Sequence, residues 1–347
     1  MLFRTYRGPI KTATECFEMS SPQTKNRSAD ETLLDAQSKA ILDAVEAADA
    51  PHFLDLSPEE LRRGHEAFFM PLSLKDNTLT TVEERTIPGP DSDIRLRIYS
   101  PKTPHGNTRS EPLPVTLFFH GGGMMVGSLE LYDTICQRLC DRSGIIIISV
   151  DYRLAPEHKY PCAINDSYAA LVWTQKNAHT FGGGPEKLAV AGDSAGGMLA
   201  AVMTQMCRDH GGPKLAFQLL IYPAVGKRRE YGSYREFAKG YFGEPGQLAW
   251  FYAQFLTSPE QMDDPRVSPI LADDFSSLPP AFILSAGYDI LRDEAEHYAE
   301  LLAQAGVPTE LHRYESSFHP FLNAAGVIDV GKQAIDECAQ KLAAALF

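Results

Sequence analysis

The spacing of apolar residues changes near residue 80. Before that point it is helical. Leu33, Leu34, Ile41, Leu42 and Val45 recur at three- and four-residue intervals, which predicts an amphipathic helix over 31–48. Ser57-Pro58-Glu59-Glu60 reads as a helix start, with a serine cap, a proline in the first turn and acids at the positive end. The helix it opens carries Leu61, Phe68 and Phe69. After residue 80, short β-rich segments alternate with helical ones. Strands are predicted at 82–87, 94–99, 115–119, 145–150, 188–191, 217–222, 281–285 and 310–314. Helical stretches at 166–177, 195–209 and 292–304 lie between them. The middle strands are continuously apolar, as strands covered on both faces are. This alternation predicts a mostly parallel eight-stranded sheet flanked by helices, an α/β fold. The first two strands follow each other directly and predict an antiparallel edge.

Residues 226–264 interrupt the alternation with a run rich in aromatics, including Tyr231, Tyr234, Phe237, Tyr241, Phe242, Trp250, Phe251, Tyr252 and Phe255. Ordinary helix packing and a lid over a pocket both explain it. The 347 residues fit two domains, or one α/β domain with an insertion. With 45 acidic and 32 basic residues the formal net charge is −13. That charge argues against nucleic acid or an anionic membrane as partner and disfavours anionic substrates. No stretch approaches the ~20 apolar residues that span a bilayer, and residues 1–11 lack the apolar core of a secretory signal. The six cysteines, Cys16, Cys136, Cys140, Cys162, Cys207 and Cys338, show neither CxxC pairing nor metal-ligand spacing. They read as reduced thiols of a cytoplasmic protein.

Candidate chemistry concentrates at strand ends. Gly192-Asp193-Ser194-Ala195-Gly196 matches G-x-S-x-G, between the strand at 188–191 and a helix of small and apolar residues. Strand, sharp turn and helix are what a nucleophile elbow requires. Glycines at 192 and 196 let strand and helix approach, and Ser194 falls at a helix N-terminus, where free N–H groups favour developing negative charge. The apolar strand at 115–119 runs into His120-Gly121-Gly122-Gly123-Met124. Three consecutive glycines suit backbone N–H groups that must approach a ligand closely. Gly122, Gly123 and the N–H of Ala195 are therefore the candidate oxyanion donors. A phosphate-binding loop is the rival, but neither a Walker lysine nor G-x-G-x-x-G spacing follows. His120 precedes the nucleophile and reads as an orienting residue.

In the chain order of nucleophile-elbow enzymes the acid follows the serine and the base comes last. His297, His312 and His319 follow the strand at 281–285. The first lies within a predicted helix and the second within a strand. His319 lies just past a strand's carboxyl end, where active sites of such sheets gather, and is the candidate base. Asp289, also just past a strand end, is the candidate acid that would orient the imidazole. Asp293 is the runner-up and reads better as a helix N-terminal charge.

Together these motifs resemble the hormone-sensitive-lipase family of α/β-hydrolases, from about Val82 to the C-terminus. His120-Gly121-Gly122-Gly123 resembles its oxyanion motif, and Gly192-Asp193-Ser194-Ala195-Gly196-Gly197 its nucleophile motif. Asp151-Tyr152-Arg153-Leu154-Ala155-Pro156-Glu157 with Tyr160-Pro161 is similar to a further signature, read here as structural. The resemblance implies a triad of Ser194, Asp289 and His319, with Gly122, Gly123 and Ala195 as oxyanion donors. It implies a helical cap from residues 1–80 and 226–264 over a catalytic domain of 81–225 and 265–347. The expected activity is serine hydrolysis of short- to medium-chain carboxylic esters, with no metal or organic cofactor, by a monomer or homodimer. Alternatives on the same fold are a non-catalytic small-molecule receptor and a hydrolase of amides, lactones or acetylated metabolites. Two positions depart from the family pattern. Pro320 follows the histidine where glycine is usual, and Ile290 follows the aspartate where proline is frequent.

Overall fold

Each segment whose apolar pattern predicted a strand contributes to one eight-stranded sheet. The computed structural model describes residues 34–48, 55–75, 80–102, 111–226, 231–243 and 245–347. The strands are β1 (Thr80–Ile87), β2 (Ile94–Pro101), β3 (Leu113–Phe119), β4 (Ile146–Asp151), β5 (Gly183–Asp193), β6 (Leu215–Ile221), β7 (Ala281–Tyr288) and β8 (Thr309–Phe318). Their order across the sheet is β1-β2-β4-β3-β5-β6-β7-β8. β1 pairs antiparallel with β2, and β2 antiparallel with β4. All later neighbours are parallel.

The apolar runs are buried because both faces of the sheet are covered. Leu117, Phe119, Ile146, Ile148, Val190 and Ile283 point into one core with α4 (Cys162–Asn177), α5 (Ala195–His210) and α8 (Arg292–Gln304). Their chain neighbours Phe118, Ile147, Ala189, Ala191, Phe282 and Leu284 point into the other, with α3 (Asp133–Ser143) and α9 (Asp329–Leu346). Each fully buried Leu, Ile or Phe contributes about 1.5–3 kcal/mol relative to an exposed one. The strand period of two divides that burial between the two helical layers.

The N-terminal helices follow their caps. The helix expected from residue 31 begins, among the described residues, at Ala36. Asp35 is its N-cap, accepting the N–H groups of Gln37 at 3.0 Å and Ser38 at 2.9 Å. This helix, α1 (Ala36–Ala47), buries Ile41 and packs Leu42 against the core, while Leu33 and Cys16 lie outside the described residues. α2 (Pro58–Phe69) starts where Ser57-Pro58 predicted, with a complete Ser57–Glu60 capping box. Between β6 and β7 the aromatic-rich segment forms α6 (Gly232–Glu236), α7 (Pro245–Phe255) and a 3₁₀ turn at Pro259–Asp263. Among the described residues no helix is long and apolar enough to cross a membrane. Of the five described cysteines, four are buried and Cys162 is half-buried.

Candidate active site

Ser194 sits on the elbow between β5 and α5 with φ 54° and ψ −119°. A non-glycine residue with positive φ costs on the order of 1–3 kcal/mol and persists only where its surroundings over-determine it. They do so here. The Ser194 N–H donates to the Ile221 carbonyl at 2.9 Å, and the Ser194 carbonyl accepts from Met198 at 3.1 Å and Ala224 at 3.1 Å. A methyl group on Gly192 would run into the Gly196 carbonyl, and one on Gly196 into the Phe119 carbonyl. Glycine at both positions therefore lets α5 lie against β3 and β5 and raises the serine above the carboxyl edge of the sheet.

The glycine run is a knot of positive-φ backbone just past β3. Gly122, Gly123, Met124 and Gly127 have φ of 118°, 59°, 62° and 98°. The Gly122 carbonyl accepts from Met125 and Val126, both at 3.0 Å. The Gly121 N–H is already taken, donating to Asp193 Oδ1 at 2.7 Å and lying 3.1 Å from the Tyr132 hydroxyl. Among the described residues, the N–H groups of Gly122, Gly123 and Ala195 donate no hydrogen bond. An anionic carboxylate against the loop's first N–H also disfavours phosphate there.

His319 lies where β8 ends, and its ring meets Tyr222 edge-on at 4.7 Å. Its Nδ1 is 2.9 Å from Asp289 Oδ2. Asp289 is fully buried, and its other oxygen accepts the Leu291 N–H at 2.8 Å. The carboxylate is thus fixed from both sides, and the proline absent at position 290 is not needed for it. Burial lowers the imidazole pKa, but the charge and hydrogen bond of Asp289 and the field of Asp193 outweigh it, so His319 titrates above its ordinary value. Among the described residues no hydrogen bond joins the Ser194 hydroxyl to the imidazole. Such bonds are commonly long in free enzymes and tighten in the substrate complex.

The other candidates are engaged elsewhere. His297 Nδ1 is 2.6 Å from the Tyr231 hydroxyl, and His312 Nδ1 is 2.7 Å from Glu337 on α9. Asp293 accepts the Ser233 N–H at 2.8 Å and pairs with Arg292 at 2.9 Å. His120 is fully buried, stacks on Tyr152 at 4.4 Å and donates from Nδ1 to the Gly121 carbonyl at 2.8 Å. Burial lowers its pKa. The signature around Asp151 is also structural. Tyr152 donates to the His120 carbonyl at 2.7 Å, Ala155 N–H to the Met124 carbonyl at 2.8 Å, and Arg153 binds buried Asp166 at 2.8 Å.

Sequence reasoning missed three partners. Asp193 joins the nucleophile elbow to the glycine loop, its Oδ2 accepting the Tyr132 hydroxyl at 2.9 Å. Burial raises its pKa to about 6 against those hydrogen bonds. A charged residue within an otherwise small, apolar elbow was the available signal. Tyr132 had none. Phe251 on α7 lies against Gly123 so closely that a methyl group there would sit 2.7 Å from its ring. The aromatic richness of the segment was visible, but not the partner of this ring.

A family model of the alpha/beta hydrolase fold matches residues 116–323, more than half of the chain. The chain belongs to the α/β-hydrolase family. It is of the carboxylesterase type, the hormone-sensitive-lipase branch that its motifs resemble. Carboxylic ester hydrolase LipN of Mycobacterium tuberculosis is 42% identical over 248 residues, 70% of this chain and 64% of that protein. Carboxylesterase NlhH of the same species is 42% identical over 258 residues, 73% of this chain and 79% of that protein. Among solved structures, the ester hydrolase EH1AB1 from the metagenome of Lake Arreo, complexed with a bipyridine phosphonate derivative, superimposes with a TM-score of 0.85. It is 39% identical, and the match covers 90% of this chain and 99% of that one.

Proposed function

We propose that the chain hydrolyses short- to medium-chain carboxylic esters through an acyl-enzyme on Ser194, with His319 as base and Asp289 as its orienting acid. One observation carries this reading. Of the three histidines that follow the strand at 281–285, His319 has its Nδ1 on a fully buried carboxylate at the sheet's carboxyl edge, 2.9 Å away. With Nδ1 donating to Asp289, Nε2 is left as the basic nitrogen. In the first step Nε2 takes the proton of Ser194 as the hydroxyl attacks the ester carbonyl. The N–H groups of Gly122, Gly123 and Ala195 receive the oxyanion, each worth on the order of 3–4 kcal/mol of barrier. The imidazolium then protonates the departing alcohol. Water, deprotonated by the same nitrogen, releases the acid and restores Ser194.

Residues 1–80 and 226–264 are proposed to form the cap, over a catalytic domain of 81–225 and 265–347. Support comes from both sides of the glycine loop. Arg62 and Glu66 of α2 bond to it, and Phe251 of α7 lies on Gly123. A cap contact this close to the oxyanion donors suits a modest acyl group better than a long chain. The proposed setting is the cytoplasm, with a small uncharged ester as substrate and a monomer or homodimer as the acting form. The net charge of −13 is consistent with it.

The test is a panel of p-nitrophenyl esters from acetate to palmitate, with amide and lactone analogues and a Ser194→Ala control. The expected outcome is greatest kcat/KM among the short and medium esters and a loss of kcat of about 10⁴-fold or more in Ser194→Ala. Preference for emulsified long-chain triglyceride would overturn the chain-length reading. Ligand binding without turnover by the parent would make the protein a receptor.

A further inference from the structure

The glycine loop is held by contacts from outside it as well as by its own hydrogen bonds. Three glycines and Met124 within residues 122–127 have positive φ, and Met124 has a side chain that disfavours it. The loop's internal hydrogen bonds end on the Gly122 carbonyl. The carbonyl of Met125 takes its partner from another element. Arg62 of α2 donates from Nε to Met125 O at 2.9 Å. From Nη2 the same guanidinium reaches Ala155 O at 2.8 Å. It also grips Glu157 with both terminal nitrogens, at 3.0 and 2.7 Å. Ala155 in turn donates to Met124 O at 2.8 Å. One turn along α2, Glu66 accepts from the Ser128 hydroxyl at 2.8 Å. The helix therefore clasps the loop at Met125 and at Ser128, on the chain that leaves Gly122 and Gly123.

We infer that Arg62, seconded by Glu66, is a positioning residue for the reaction. It fixes the oxyanion loop so that the N–H groups of Gly122 and Gly123 are already aimed when charge develops. This inference rests on the proposed esterase reading. Its physical basis is that preorganised donors act in the transition state, and a shift of about 1 Å in such a group can cost on the order of 10²-fold in rate. A planar guanidinium that joins two carbonyls and a carboxylate in one fork resists such a shift. A lysine in its place offers one point charge and no fork.

The experiment compares the full-length parent, Arg62→Met, Arg62→Lys and Glu66→Ala. Single-turnover acylation by p-nitrophenyl butyrate, KM, and inhibition by an aryl trifluoromethyl ketone are measured on each. In Arg62→Met, acylation is expected to slow by roughly 10- to 100-fold. Trifluoromethyl ketone affinity is expected to fall in parallel while KM moves less than about twofold, because an oxyanion donor acts in the transition state. Arg62→Lys recovers part of the loss. Hydrogen exchange across residues 121–128 is expected to accelerate in Arg62→Met, a readout that needs no turnover. A folded Arg62→Met with parental acylation, ketone affinity and exchange, even at lowered melting temperature, would reduce Arg62 to a structural brace and overturn the inference. Should Arg62→Met not fold, Glu66→Ala, which removes the acceptor of the Ser128 hydroxyl, carries the same comparison with an expected loss of severalfold, and parental behaviour in it overturns the inference equally. A parent whose hydrolysis persists in Ser194→Ala would instead overturn the esterase reading, with the exchange data still reporting on the clasp.

Discussion

Asp289 does two things with one carboxylate. One oxygen holds the Leu291 N–H and so orients the group, and the other meets the imidazole of His319. Replacing it with asparagine keeps the shape but presents an amide N–H to Nδ1, which selects the wrong tautomer. Asp289→Asn is expected to lower kcat by about 10⁴-fold with little change in melting temperature. The proposed base works only when neutral. Its pKa is raised in the folded enzyme, so kcat/KM is expected to fall as pH drops through a value above 6.5. In Asp289→Asn that acid limb moves to lower pH, because the charge that raised the pKa is gone. A pH profile of kcat/KM for both proteins checks the sign. An unmoved limb would mean that another group controls it.

Among the elements, α7 has the most direct bearing on the proposed substrate range. It lies in the insertion between β6 and β7 and sets Phe251 against the Cα of Gly123. Shortening that ring opens space beside the proposed oxyanion donors without touching a reacting group. Phe251→Ala is expected to shift preference toward longer acyl chains. The octanoate-to-butyrate ratio of kcat/KM should rise by roughly tenfold, the scale that one or two methylenes in an apolar pocket allow. A ratio within twofold of the parent's would show that the acyl chain runs elsewhere.

On the scale of the whole molecule, buried polar links tie the loops of the carboxyl edge to the sheet and helices beneath. One joins Arg153, just past β4, to Asp166 on α4. Asp166 is fully buried and accepts from Arg153 through both oxygens, at 2.8 Å each. Arg153 keeps exposed Asp91 at 2.9 Å as a second partner, so Asp166→Ala removes hydrogen bonds to a charged group without stranding it and is expected to cost about 1.5–3 kcal/mol in urea denaturation. A loss under about 1 kcal/mol would mean that water replaces the carboxylate at no penalty. The salt bridges with strongly exposed partners, such as Lys39–Asp43, are worth little by comparison.

The order of strands and helices, the nucleophile elbow and the glycine loop were legible because each depends on neighbours in the chain. A period of two or 3.6 residues, a serine between glycines and a capping box are local properties. The helix α9 was legible in principle, since Ala334, Ile335, Cys338, Leu342 and Leu346 recur at helical spacing, yet it was not singled out. The choice of His319 over His297 and His312 rested on strand-end position, and the structure adds which carboxylate or hydroxyl each one meets. What only the tertiary structure decided are contacts between segments far apart in sequence. Asp193 on Gly121, Arg62 on Met125 and Phe251 on Gly123 are of this kind. A single chain carries no periodic signal for them, because they exist only once the sheet has brought its carboxyl edge together and the flanking helices have closed on it.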